Sequence, residues 1–248
     1  MGHTPFKQVF LRKDKLMYTL LLLNGGLGSR FGGGEPKQLV RINQIPMFIY
    51  SLRAALSVSA ISRIVINYPS GWKPTFKHLL RDYGLLERVE MTSAGSSRQD
   101  SVRKMLDYVK DDKNQLVLIH EAARPLVDEA DFQKLIDFGG ENVGFSIEIP
   151  FTVLELDEGK SCLQKSLDRN LLCNVQLPQK FNRDSLYKAH KRAASDNVSF
   201  TEDASLIHHY GEKMQFIEGF PENIKVTNSI DRRIAEFLFD EKNRHHDE

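Results

Sequence analysis

The densest chemistry in this chain lies in one loop. Asn24-Gly25-Gly26-Leu27-Gly28-Ser29-Arg30-Phe31-Gly32-Gly33-Gly34-Glu35-Pro36-Lys37-Gln38 packs six glycines into eleven residues and carries two cations. Glycine lets the backbone turn tightly and approach a ligand closely, and a run of exposed N–H groups forms an anion-binding concavity. Arg30 offers phosphate oxygens a bidentate grip and Lys37 a point charge. Pro36 fixes φ just before Lys37 and limits where that lysine points. The loop is not a dinucleotide fingerprint, because Phe31 occupies the place of the last glycine in GxGxxG. It is not a Walker A loop, because it contains no Gly-Lys-Ser/Thr. The bland reading of the same residues is a glycine-rich surface loop with two solvated cations.

Three other stretches carry reactive side chains. His120-Glu121-Ala122-Ala123-Arg124-Pro125 follows an apolar run, and a carboxylate there can hold Mg²⁺ directly or through water, while Arg124 can meet an anionic substrate. The competing readings are a packed core histidine and a capping carboxylate. Ala94-Gly95-Ser96-Ser97-Arg98-Gln99-Asp100-Ser101-Val102 allows close backbone approach, and Ser101 can read a base edge; otherwise Ser97 or Asp100 simply caps a helix. Asn223-Ile224-Lys225-Val226-Thr227 reads as a short β-like run from which Lys225 reaches back to phosphates, with Thr201-Glu202-Asp203-Ala204-Ser205 before it. A surface lysine is the alternative there.

These stretches need a scaffold, and the apolar pattern supplies one. Tyr18–Leu23, Arg63–Tyr68, Val89–Thr92, Gln115–His120 and Val143–Ile149 read as strands. Helical spacing recurs at Phe48, Leu52, Ala55 and Leu56, at Phe76, Leu79, Leu80 and Tyr83, at Val102, Met105, Leu106 and Val109, and at Phe132, Leu135 and Ile136. Alternating strands and helices predict an α/β fold: a Rossmann-like, mostly parallel sheet with helices on both faces. Val153–Asp157 and Cys162–Leu167 flank Glu158-Gly159-Lys160 and break the rhythm, which predicts a β-hairpin arm over about 150–170. An arm with few local contacts suits a homodimer; a plain surface hairpin is the other reading.

Composition narrows the class. The 248 residues are 41% hydrophobic with a net charge of +1, which fits one domain over 17–240, with 1–16 and 241–248 as flexible ends. The near-neutral charge argues against nucleic acid as a partner. No apolar run approaches membrane-spanning length, and no signal peptide is visible. Cys162 and Cys173 lack CxxC spacing and read as reduced thiols of a cytoplasmic protein. The adjacent His245 and His246 are poorly spaced for metal.

Taken together and in order, Gly26-Leu27-Gly28-Ser29-Arg30 with Pro36-Lys37-Gln38, then Ser-Arg-Gln-Asp-Ser-Val, then Ala-Ala-Arg-Pro, resemble the 2-C-methyl-D-erythritol 4-phosphate cytidylyltransferase family and its ribitol-5-phosphate relatives. The likeness runs from about Tyr18 to Leu238. It implies a Mg²⁺-dependent nucleotidyltransferase that joins the CMP part of CTP to a small polyol phosphate, with 2-C-methyl-D-erythritol 4-phosphate as first acceptor. It implies that Arg30, Lys37 and Lys225 hold the triphosphate and stabilise the transition state. CTP contacts fall on Asn24, Gly25, Gly26, Gly28, Gly95, Ser101, Glu121 and Ala122, with Gly95 and Ser101 reading the cytosine and Glu121 near metal and ribose. Acceptor contacts fall on Arg124, Thr152, Arg169 and Thr201, with Thr152 and Arg169 delivered by the arm to a partner subunit. The chain departs from the family at Glu121 and Glu202 (usually Asp), Phe151 (Asp), Leu154 (Lys) and Leu177 (Thr), so the CTP half is better kept than the acceptor half. Asn24-Gly25 replaces the usual Ala-Ala. Three rivals remain in view. A ribitol-type enzyme serves cell-surface polymers, and a pyrophosphorylase uses UTP or another nucleotide. A non-catalytic nucleotide-binding homologue is the third. A glycosyltransferase is disfavoured, since no Asp-x-Asp occurs.

Overall fold

The computed structural model describes residues 16–26 and 34–244. The N-terminal part of the fold contains β1 (Tyr18–Leu23), β2 (Arg41–Ile42), β3 (Ile45–Pro46), α1 (Met47–Ser57), β4 (Ile61–Tyr68) and α2 (Lys73–Asp82). There follow β5 (Glu90–Ser93), α3 (Arg98–Tyr108), β6 (Leu116–Glu121), α4 (Glu129–Asp137) and β7 (Val143–Glu148). The C-terminal part adds β8 (Val153–Leu156), β9 (Leu163–Leu167), β10 (Cys173–Asn182), α5 (Arg183–Ser195), α6 (Asp203–His209), β11 (Gln215–Glu218) and α7 (Ser229–Arg244).

Seven strands form the central sheet in the order β11-β7-β10-β6-β1-β4-β5. β1 runs parallel to both β4 and β6, and β4 to β5, while β10 is antiparallel to β6 and β7. Every residue of β1 and β6 is buried, as expected of central strands covered on both faces. Strand periodicity divides them between two cores. Leu20 and Leu22 pack with Phe48, Leu52, Phe76 and Phe132 from α1, α2 and α4. Leu21 and Leu23 pack with Val102, Met105, Leu106 and Leu186 from α3 and α5. The mostly parallel doubly covered sheet expected from the alternation is therefore present.

Local chemistry sets the helix starts. Ser97 caps α3 by accepting the Asp100 N–H at 3.0 Å, and Asp128 and Asp131 form a reciprocal capping box on α4. The arm is a separate two-stranded sheet of β8 and β9. Its turn is closed by Asp157, whose Oδ1 accepts the N–H groups of Ser161 and Cys162 at 2.8 and 3.1 Å.

Two expectations need correction. Asn223–Thr227 is not a strand but an irregular segment, anchored by the Val226 N–H on the Ala123 carbonyl at 2.7 Å. The chain from 241 to 244 continues α7 instead of fraying, and residues 1–15 and 245–248 lie outside the described part. No helix among the described residues is long and apolar enough to cross a membrane.

Candidate active site

Four parallel strands end at one edge of the sheet, and the chain beyond each contributes to one cavity of about 600 Å³. Leu23, Gly25 and Gly26 follow β1, Pro69 and Ser70 follow β4, Ala94 to Ser97 follow β5, and Glu121 with Ala123 close β6. Ligands of open α/β sheets bind beyond such carboxyl ends. Lys37 enters from a 3-10 turn at Lys37–Leu39, and Lys225 enters from the irregular segment before α7. Two cations far apart in sequence thus face the same space.

Close approach is built into the wall. A Cβ on Gly25 would lie 2.7 Å from the Ala94 Cβ, and one on Gly95 would lie 2.6 Å from the backbone of Asp100 and Ser101. Neither position has room for a side chain. The Gly95 N–H donates to Ser101 Oγ at 2.9 Å, which fixes the hydroxyl and leaves its proton to donate elsewhere.

The charged wall is a buried network centred on Arg98. Its Nε donates to Glu121 Oε1 at 3.0 Å, and its two terminal nitrogens reach Asp203 at 2.8 Å and Glu202 at 3.4 Å. Lys225 Nζ bonds the other oxygen of Glu121. Asp203 also accepts from His190 Nε2 at 2.8 Å. Burial alone would raise the Glu121 carboxyl, but Lys225 and Arg98 overcome it and hold it down at about 2. Asp203 is treated in the same way by Arg98 and His190, against burial, and also lies at about 2. Glu202 is different: burial dominates and raises it despite Arg98. Arg98 loses to burial but gains more from Asp203, Glu202 and Glu121, so its guanidinium stays charged.

The segment carrying Lys225 is held from several sides. Arg124 donates to the Asn223 carbonyl at 2.7 Å, Asn223 Nδ2 donates to the Leu177 carbonyl at 2.7 Å, and Gln176 exchanges bonds with the Phe220 backbone at 2.8 and 3.0 Å. His120 secures Arg124's own turn: a carbonyl can only accept, so Nε2–H donates to the Arg124 oxygen at 3.1 Å. Burial lowers the His120 pKa to about 3, which keeps the ring neutral.

Set against the sequence expectations, Gly25, Gly26, Lys37, Gly95, Ser101, Glu121 and Lys225 all line the cavity. Gly28 and Arg30 lie outside the described residues. Other expected site residues do not line the cavity. Arg124 does not line the cavity; its guanidinium is spent on the Asn223 and Val175 carbonyls and positions the Lys225 segment. Ala122 is fully buried with its N–H on the Leu23 carbonyl, and Ala123 takes its place at the wall. Asn24 is buried, its amide bonded to the Leu22 carbonyl and its backbone N–H to Asn67. Thr152, Arg169 and Thr201 are exposed and do not line this cavity, with Arg169 bonded to the Pro150 carbonyl at 2.7 Å.

Arg98 is the residue that sequence reasoning passed over, although it stood inside a quoted motif. Its signal was an arginine in the first position of a helix that opens directly onto the cavity. As for a metal, both Glu121 oxygens are already taken by Arg98 and Lys225. No group of three or more potential ligands occurs among the described residues. The protein side chains alone do not make a cation cage at Glu121.

Comparison with known proteins gives a consistent result. The family model for 2-C-methyl-D-erythritol 4-phosphate cytidylyltransferase matches residues 18–241. A protein of that name from Bacillus mycoides (strain KBAB4) is 34% identical over 223 residues, covering 89% of this chain and 96% of its own. Another from Dictyoglomus thermophilum is 33% identical over 214 residues, covering 85% and 91%. Among solved structures, a 4-diphosphocytidyl-2C-methyl-D-erythritol synthase from Anaerococcus prevotii superposes with a TM-score of 0.79 at 20% identity, over 92% of this chain and 97% of that one. A 2-C-methyl-D-erythritol 4-phosphate cytidylyltransferase from Thermus thermophilus gives 0.72 at 24% identity, over 90% and 98%. At those identities the two structures establish the shared fold.

Proposed function

The chain belongs to the 2-C-methyl-D-erythritol 4-phosphate cytidylyltransferase family, and from that premise we propose that it transfers the cytidylyl group of CTP to 2-C-methyl-D-erythritol 4-phosphate. A phosphate oxygen of the acceptor attacks the α-phosphorus of CTP. The new P–O bond forms as the bond to the β-phosphate oxygen breaks, and pyrophosphate leaves with that electron pair. Such transfer needs alignment and charge neutralisation more than covalent help from the protein.

The observation that carries this reading is the shared cavity of Lys37 and Lys225, floored by Gly25, Gly95 and Ser101. The lysines neutralise the triphosphate and the charge that builds on the departing pyrophosphate. Arg98 and Glu121 act behind them. Glu121 holds Lys225 at the cavity wall, and an incoming phosphate takes over that lysine with the carboxylate still paired to Arg98. Mg²⁺, when bound, would neutralise further charge on the phosphates, and Glu121 would offer it at most the one oxygen that Lys225 releases. Arg30, in the same glycine-rich stretch of sequence as Lys37, is assigned to the same phosphates by its place in the family motif.

The arm supplies the second half of the reading. Phe151, Leu154, Leu156, Leu163 and Leu171 are all exposed on or beside it. That apolar surface suits a second copy of the chain, which would receive Thr152 and Arg169 at its own acceptor site. The unpaired exposed thiols Cys162 and Cys173 suit the reducing cytoplasm.

The test is pyrophosphate release with CTP and Mg²⁺ against a panel of polyol phosphates. Release that depends on 2-C-methyl-D-erythritol 4-phosphate supports the assignment. Release with ribitol 5-phosphate instead moves the acceptor, as the apolar Phe151 and Leu154 would allow. No release with any acceptor contradicts a catalytic role.

A further inference from the structure

Asn67, at the end of β4, has no part in the reading so far. It is fully buried and yet borders the cavity. Its Oδ1 accepts the Asn24 N–H at 2.5 Å. A backbone N–H can only donate, so this bond fixes which way the amide faces. The Nδ2 group points the other way and has no hydrogen-bond partner among the described residues. An orphaned buried donor is costly and calls for an explanation.

The geometry around Gly25 supplies one. The point that a Gly25 Cβ would occupy lies 3.4 Å from Asn67 Nδ2 and 3.3 Å from Ser101 Oγ. Two groups able to donate therefore lie close together beside Gly25 and both line the cavity, because the Ser101 oxygen already accepts from Gly95 and its proton is available. The Ala94 Cβ lies 2.7 Å from the same point, so no side chain fits there, and glycine lets the backbone pass close to both donors at the cavity wall. Cytosine presents two adjacent acceptors, N3 and O2. Uracil presents an N3–H donor beside its O2, so a second donor would face a hydrogen instead of a lone pair.

We propose that Asn67 is a base-specificity residue: its Nδ2 donates to the N3/O2 edge of cytosine beside Ser101, and this pair of donors selects cytosine over uracil. The inference rests on the cavity being the CTP site. It extends that reading to a strand no sequence motif marked.

Two measurements test it on the full-length protein. Equilibrium titration with CTP and UTP, without acceptor, compares wild type with Asn67→Asp at pH 8. That variant keeps the oxygen for the Asn24 N–H and replaces the donor with an acceptor. CTP affinity is expected to fall about tenfold or more, with UTP affected less, so the preference narrows; an unchanged CTP-to-UTP ratio in a folded variant overturns the proposal. The second needs no variant. In protein with ¹⁵N-labelled side-chain amides, the Asn67 NH₂ signals should move with CTP and stay in place with tripolyphosphate, which fills the phosphate site without a base. Identical behaviour with both probes overturns the proposal even if Asn67→Asp does not fold. A wild type that binds neither probe sinks the CTP reading itself, and the inference with it.

Discussion

In the cavity, Arg98 meets Glu121, Glu202 and Asp203, and Lys225 meets Glu121, so charge is answered by charge within one chain. On the arm, Phe151, Leu163 and Leu171 are 77%, 62% and 84% exposed, and the two short strands contact little beyond each other. In the first region these charges find their partners among the described residues of one chain. The second has apolar surface that none of the described residues covers. The difference separates two kinds of residue: those whose contribution is fixed by folding, and those whose contribution waits for another surface.

Substitutions should therefore behave differently in the two regions. The largest effect is expected at Arg98. Replacing it with leucine leaves three carboxylates without their shared cation, and breaking such a buried network costs roughly 3–5 kcal/mol. Denaturant titration checks this, and a loss below about 1 kcal/mol would mean the network does not hold the site. Lys225→Ala and Lys37→Ala come next. Each should lower kcat/KM about 10²–10³-fold while the melting temperature stays near that of wild type, as pyrophosphate release and calorimetry would show. A similar loss of stability and turnover would assign these lysines to the scaffold instead.

The arm should respond without unfolding. Leu163→Asp with Leu171→Asp is expected to change stability by only about 0.5 kcal/mol, as exposed sites do. It should shift sedimentation from dimer to monomer and raise KM for the acceptor more than for CTP. Unchanged sedimentation would leave the arm as a surface hairpin. Acid gives a further test. Glu121 and Asp203 ionise at about 2 in the fold, against ordinary values of 4.5 and 3.8. Their folded-state values are depressed, so their stabilisation is present above the ordinary range and is lost as pH falls from about 4.5 towards 2. Glu121→Gln should flatten that part of the stability profile; an identical slope would show that Glu121 does not contribute to it.

How far the sequence could be read follows the same division of labour. β1, β4 and β6 announced themselves as apolar runs because both of their faces are covered. β10 did not, since Pro178 and the polar Gln176, Gln179 and Lys180 disguise a buried strand. Its polar groups are satisfied by distant backbone: Gln176 by Phe220, and Lys180 by the Leu135 and Phe138 carbonyls at 2.9 and 2.6 Å. Such partners come from folded context and leave no local period. The site shows the same limit. Lys37, Gly95 and Ser101 were legible through several motifs standing in register; each alone read as well as a solvated surface loop or a helix start. The bonds of Arg124 to the Asn223 and Val175 carbonyls were not legible, because an arginine's reach says nothing of which oxygen it meets. Here the nearer ones are carbonyls. Asn67 was invisible, as one polar residue at the end of a β-branched run.

The central claim is that Lys37 and Lys225 grip one triphosphate. A crystal structure of the protein with CTP and Mg²⁺ tests that directly. It should show the phosphates between those two lysines, with the base against Gly95 and Ser101. A triphosphate bound elsewhere, or touching neither lysine, would contradict the assignment of this cavity.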